Sequence, residues 1–202
     1  MFRPAILLGL LALTTTLASQ SPTGGMPGET APAAASLLWD YRTEGDVTNA
    51  PAVAGGLVYA ASADGYLYSL DAATGALRWQ VEVRDASIPA VAGGTVYVGS
   101  ADNHVYALDA ATGAERWRYR TEGDVGAPQV TDGIVYVGSA DNYLYALDAA
   151  TGTLQWCYQL DGDAGSPRAA DGVIYVGSTD NHLYALAAPV GAGVEPARGA
   201  CS

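Results

Sequence analysis

Thr95–Trp117, TVYVGSADNHVYALDAATGAERW, is the stretch on which the fold turns. It opens on a short apolar run, Val96-Tyr97-Val98, of the kind that forms a strand buried on both faces. Asp102-Asn103 follows; such a pair tolerates positive φ and predicts a type I′ hairpin turn. The next segment, like its copy Tyr143–Leu147, alternates and reads as a strand with one packed and one more open face. Asp109–Gly113 (DAATG) closes that strand, with Asp able to cap the turn and Gly able to supply its unusual backbone angle. A last strand carries the indole, Glu115-Arg116-Trp117-Arg118-Tyr119.

Outward from this stretch the same pattern recurs. Trp39, Trp79, Trp117 and Trp156 are separated by 40, 38 and 39 residues. Pro51, Pro89, Pro128 and Pro167 keep nearly the same step, as do Tyr59, Tyr97, Tyr136 and Tyr175. Three residue types in one period define a tandem repeat. Each copy also holds a short strand that starts at its Pro and ends in Gly-Gly or Asp-Gly, which makes four antiparallel strands per repeat. A four-stranded unit of about 40 residues repeated around an axis is a propeller blade, so the predicted class is all-β.

Ser69–Trp79 (SLDAATGALRW), Ala107–Trp117 (ALDAATGAERW) and Ala146–Trp156 (ALDAATGTLQW) resemble the tryptophan-docking motif of the pyrroloquinoline-quinone (PQQ)-like propeller repeats. The resemblance runs from Leu37 to about Leu186. It implies that Trp79, Trp117 and Trp156 pack between adjacent blades near the Gly of the TG turn. The fourth repeat runs from Pro167 through His182–Leu186 and then lacks both a TG turn and a Trp strand, whereas Leu37–Arg42 has the form of an outer strand. The simplest completion is a β-propeller of four four-stranded antiparallel blades in which the N-terminal strand completes the last blade and no edge stays exposed. The resemblance implies larger rings, of seven or eight blades. Two chains joined head to tail would form a two-chain eight-bladed ring, and a partial chain or open arc is the third arrangement left open.

The family also implies a chemistry to be tested. Its quinoprotein dehydrogenases set an adjacent Cys pair against PQQ, bind Ca²⁺ with Glu, Asn and Asp, and stack a Trp on the quinone. This chain has no adjacent Cys pair, all four Trp keep the repeat period, and its 202 residues are less than half the length such enzymes use. The expectation is no catalytic residue and no PQQ or Ca²⁺. His104 and His182 stand where other repeats carry Tyr66 and Tyr143, as surface residues do, and Ser100, Ser139 and Ser178 recur with the blades. No HExxH, CxxC, GxSxG or phosphate-cradling motif is present.

Acidic residues are the remaining feature. Propeller geometry places the outer-to-inner loops and the hairpin turns on one face. The loops carry Glu44, Asp46, Asp85, Glu122, Asp124, Asp161 and Asp163, and the turns add Asp64, Asp102, Asp141 and Asp180. Such a rim would attract cations or a basic protein surface. In the competing reading the turn carboxylates hold local backbone donors and the loop acids are merely solvated. Arg42, Arg84 and Arg120 lie beside the loop acids and offset part of their field.

Charge narrows the partners. With 21 acidic residues, nine basic residues and no Lys, the net charge is −12. Such a surface repels phosphate backbones and anionic lipid, which argues against nucleic acid and peripheral membrane binding. At the N-terminus Arg3, the apolar run Ala5–Leu13 and a cleavage site at Ala18 or Ser19 read as a signal peptide over 1–19; the run is too short to span a bilayer. No Cys lies near the cleavage region for lipid attachment. Residues 20–36 read as a flexible Pro/Ala/Gly/Ser linker, 37–187 as the propeller repeats and 188–202 as a disordered tail. Export permits a Cys157–Cys201 disulfide, whose geometry a sequence does not show. The function expected is a secreted, periplasmic or cell-envelope protein-binding scaffold, with a homodimer open. A redox or ligand-binding protein whose site forms on assembly of two chains, and a truncated repeat product, are the alternatives.

Overall fold

The computed structural model describes residues 35–187. The signal peptide 1–19, nearly all of the linker 20–36, the tail 188–202 and the Cys201 half of the expected bridge lie outside the described residues. No helix among the described residues is long and apolar enough to cross a membrane.

Among the described residues fifteen strands form four antiparallel sheets. Blade 1 is β1 (Ala52–Ala54), β2 (Leu57–Ala61), β3 (Tyr66–Asp71) and β4 (Leu77–Glu82). Blade 2 is β5 (Ala90–Ala92), β6 (Thr95–Gly99), β7 (His104–Asp109) and β8 (Glu115–Arg120). Blade 3 is β9 (Gln129–Thr131), β10 (Ile134–Gly138), β11 (Tyr143–Asp148) and β12 (Leu154–Gln159), and blade 4 is β13 (Arg168–Ala170), β14 (Val173–Gly177) and β15 (Leu183–Ala187). Each sheet is a meander in chain order, and the innermost strands pack in sequence, β1 on β5, β5 on β9 and β9 on β13.

The predicted docking holds the blades together. Trp79 Nε1 donates to the Ala110 carbonyl at 3.0 Å and Trp117 Nε1 to that of Ala149 at 3.0 Å, each reaching the DAATG turn of the following blade. The indoles lie so close to Gly113 and Gly152 that a Cβ on either glycine would meet the ring. Both glycines also have positive φ, 74° and 73°, so two constraints select the residue. Between the blades the core divides into three clusters, for example Tyr97, Val105 and Trp117 of blade 2 against Val135, Val137 and Leu147 of blade 3.

Three expectations are corrected. The β2–β3, β6–β7 and β10–β11 hairpins are not two-residue type I′ turns. Ser62–Gly65 forms a four-residue loop in which only Gly65 has positive φ, and Asn103, Asn142 and Asn181 are the equivalents. Asp keeps an ordinary φ because its carboxylate accepts the backbone N–H two residues on, as Asp141 Oδ1 does from Tyr143 N at 3.0 Å. The two-residue turns with two positive φ values are instead Gly55-Gly56, Gly93-Gly94, Asp132-Gly133 and Asp171-Gly172. Second, β11 does not alternate: Leu144 to Leu147 are all buried, because a blade covers each face of the sheet.

The third correction concerns closure. Blade 4 has three strands among the described residues, and Leu37–Arg42 forms no strand with it. Its Trp39 nevertheless docks on blade 1 as Trp79 does on blade 2 and Trp117 on blade 3: Nε1 donates to the Ala72 carbonyl at 3.0 Å and the indole covers Gly75. No contact between β13 and β1 matches those between successive inner strands. Packing of one blade on the next sets the angle between them, and four such steps leave β15 away from the N-terminal segment.

Candidate functional site

The loop that enters each blade folds back onto that blade's hairpin turn, and backbone hydrogen bonds fix it there. Ala63 N donates to the Asp46 carbonyl at 2.9 Å, Ala140 N to that of Asp124 at 2.9 Å and Thr179 N to that of Asp163 at 3.1 Å. Glu44 N and Glu122 N in turn donate to the turn carboxylates of Asp64 (3.0 Å) and Asp141 (2.9 Å). Gly45, Gly123 and Gly162 permit the approach, since a Cβ at each would fall on the turn backbone. Loops and turns therefore share a face, and Glu44, Asp46, Asp85, Glu122, Asp124, Asp161 and Asp163 are all exposed on their loops. Asp46, Asp85, Asp124 and Asp163 recur at intervals of 39 residues, one per blade.

The turn carboxylates are engaged locally. Asp64, Asp102, Asp141 and Asp180 each accept a backbone N–H with one oxygen and a tyrosine hydroxyl with the other, from Tyr68 (2.7 Å), Tyr106 (2.6 Å), Tyr145 (2.8 Å) and Tyr184 (2.6 Å). Burial raises the pKa of Asp64 and Asp102, but these hydrogen bonds outweigh it and the net shift is downward. For Asp180 the Tyr184 hydroxyl leads, and the carboxyl lies at about 2. Burial together with the bonded carboxylate pushes the phenols of Tyr68 and Tyr106 up to about 12. The tyrosine four residues after each turn Asp escaped the sequence reading, although its fourfold recurrence was a usable signal. Of the neighbouring arginines, Arg120 approaches Glu122 at 3.7 Å, while Arg84 turns to Glu82 at 3.4 Å and leaves Asp85 uncompensated.

Where the first two loops meet, a cleft of about 180 Å³ is lined by Asp46, Asn49, Ser62 and Asp85 among others. Asn49, a second residue the sequence reading missed, spans the loops by donating to the Ala86 carbonyl at 3.0 Å. His104 and His182 hydrogen-bond within their own turns and lie tilted against Tyr106 and Tyr184. Ser100 and Ser139 donate to carbonyls of the loops that enter their own blades, those of Arg84 and Gly123.

Quinone chemistry of the repeat type would need a Trp to stack on the cofactor, and three of the four Trp are engaged between blades. Trp39, Trp79 and Trp117 have both ring face and Nε1 committed to blade docking. Among the described residues no three His, Cys, Asp or Glu side chains converge on a metal-sized site. The arrangement is a negatively charged surface of exposed loop carboxylates on backbone that hydrogen bonds hold in place.

A family model described as outer membrane protein assembly factor BamB matches residues 29–89 and 67–192. No curated protein matches the sequence. Among solved structures, BamB from Moraxella catarrhalis is 30% identical, with a TM-score of 0.67 over 75% of this chain and 49% of that one. The chain thus spans about half the length of that protein. The computationally designed Ika4 protein is 21% identical, with a TM-score of 0.63 over 72% of this chain and 93% of that one. A quinohemoprotein alcohol dehydrogenase from Pseudomonas putida is 22% identical, with a TM-score of 0.62 over 77% and 34%. At such identities the likeness of these last two is one of fold alone.

Proposed function

Because the chain belongs to the outer membrane protein assembly factor BamB family, and so to the PQQ-like repeat proteins, we propose that it is a non-catalytic scaffold that binds another protein through its acidic face. The observation that carries the reading is the division of labour among the carboxylates. Turn acids hold the framework, while the seven loop acids are exposed on backbone that is already fixed. A preordered face loses little entropy on binding, and uniform negative charge selects a basic partner surface and speeds encounter. The protein is exported by its signal peptide to the periplasm or cell envelope, carries no PQQ or Ca²⁺, and works as a homodimer.

Photo-crosslinkers placed at Glu44, Glu122 and Asp161 in producing cells test this. The expected result is one basic envelope protein crosslinked from all three positions and lost when Asp46, Asp124 and Asp163 are changed to Asn. Retention of the crosslinks in that triple variant would sink the reading, as would a protein that crosslinks only from outside this face.

A further inference from the structure

The two ends of the blade series are bare in a complementary way. Tyr136 is 3% exposed and Leu144 0%, covered by blade 4, whereas their copies on blade 4, Tyr175 and Leu183, are 41% and 75% exposed. A Cβ on Gly99 or Gly138 would fall on the loop carbonyls of the next blade, while one on Gly177 meets nothing within 4 Å. At the opposite end Val47 is 47% exposed, against 5% for its copy Val125. Among the described residues blade 4 thus presents an uncovered trailing face and blade 1 an uncovered leading face.

Sequence matches these faces to each other. Tyr41–Val47 reads YRTEGDV, identical to Tyr119–Val125, and the latter lies against the YVGS of blade 2 at 97–100. Blade 4 carries the same YVGS at 175–178. The junction between blades 1 and 2 shows that the pairing is selective. There Ala61 replaces the glycine, and the facing loop Val83–Ser87 has lost the Gly of the TEGD form. Gly177 goes with a full-length loop, and loop 43–47 is of that form.

Within one chain these faces stand at opposite ends of the arc. The four blades also superpose on 49% of the Moraxella protein with a TM-score of 0.67, so they follow the path of about half of that longer chain. Resting on the homodimer reading above, we propose that a second copy of this chain occupies both faces. Blade 4 of one copy packs on blade 1 of the other, and Leu37–Arg42 of each copy pairs with the free edge of β15 of its partner as the missing fourth strand. Two identical junctions then close an eight-bladed ring and remove all four bare faces and the strand edges.

Light scattering on the purified full chain would give twice the mass of one chain. Leu183→Asp and Val47→Asp each alter an exposed side chain of the single chain, so both variants keep the wild-type circular dichroism. Each buries a charge at both junctions and weakens dimerisation by about 100-fold or more. Mixing the two variants restores one intact junction and recovers a heterodimer, which misfolded variants would not do. Leu77→Asp, exposed on β4 away from both faces, leaves the mass unchanged. A wild-type monomer overturns the proposal, and so do open polymers or variants that keep the dimer mass. A monomer that still crosslinks its basic partner removes the dimer alone; a dimer that crosslinks none removes the acidic-face reading alone.

Discussion

β10 and β14 have nearly the same sequence, IVYVG and VIYVG, and nearly the same pairing to their neighbours within the sheet. Yet Tyr136 and Gly138 are buried, while Tyr175 and Gly177 are exposed. The difference is that blade 4 covers β10, whereas no described sheet covers β14. Burial in this fold is a property of the junction between sheets, and a repeat that cannot cover its own apolar face depends on the next one. The identical residues of blade 4 are therefore folded to the same shape with less stabilisation, and the contrast between blades 3 and 4 can be tested by mutation. The tests are best made in the Val47→Asp background, which keeps the chain single.

The largest effect should come from the docking indoles. Trp117→Ala removes a buried ring and its hydrogen bond and should cost about 4 kcal/mol by urea denaturation. Trp39→Ala, on a half-exposed segment at the bare end, should cost about half as much. Equal losses would mean that the leading face is covered in solution.

Next come the leucines. Leu144→Ala should destabilise by about 3 kcal/mol and Leu183→Ala by less than about 0.5 kcal/mol. A large Leu183 effect in the single chain would erase the distinction between the blades.

Smaller again is the glycine pair. Gly138→Ala forces a methyl against the carbonyls of Ala164 and Gly165 and should cost about 2 kcal/mol, whereas Gly177→Ala should be neutral. The same Gly177→Ala change in the wild-type chain should weaken the dimer, which sharpens the comparison by showing what the bare glycine is for.

Titration should show the smallest contrast, because the turn carboxylates accept the same backbone N–H and tyrosine hydroxyl in every blade. Asp71 and Asp109, bonded to Arg78 and Arg116, and Asp180, bonded to Tyr184, all lie at about 2, below the ordinary 3.8. A lowered carboxyl stabilises the fold above its unfolded pKa, so melting temperature should hold above about pH 4 and fall as pH drops toward 2. Tyr68 and Tyr106 are raised to about 12 from 10.0. Their contribution is complete below pH 10 and should disappear as pH rises through 12. Asp180→Asn in blade 4 and Asp102→Asn in blade 2 should flatten the acid limb alike, despite the different burial of their blades.

Much of this was legible from residue pattern. The Trp period, the DAATG cap and the short strand after each Pro follow from local rules, and the structure repeats them blade after blade. Asp102-Asn103 was misread as a type I′ turn because the dipeptide alone does not reveal that the Asp carboxylate captures the next strand's N–H. The alternation expected of β11 failed because the chemistry of Leu144–Leu147 is compatible with one covered face or two. The acidic face was legible in its residues; the tyrosines that engage the turn acids, and Asn49 across the first two loops, became evident only once strands were side by side.

By itself the sequence determined the number of repeats and the strands within each, and its family resemblance implied the residue that docks each blade to the next, since all of these depend on contacts within a repeat or to its immediate neighbour. Only the tertiary structure decided which carboxylates stay exposed and that, among the described residues, four blades leave two faces bare. Curvature is the sum of small rotations at each junction, set by how side chains fill the wedge between sheets, and no residue spacing encodes that sum.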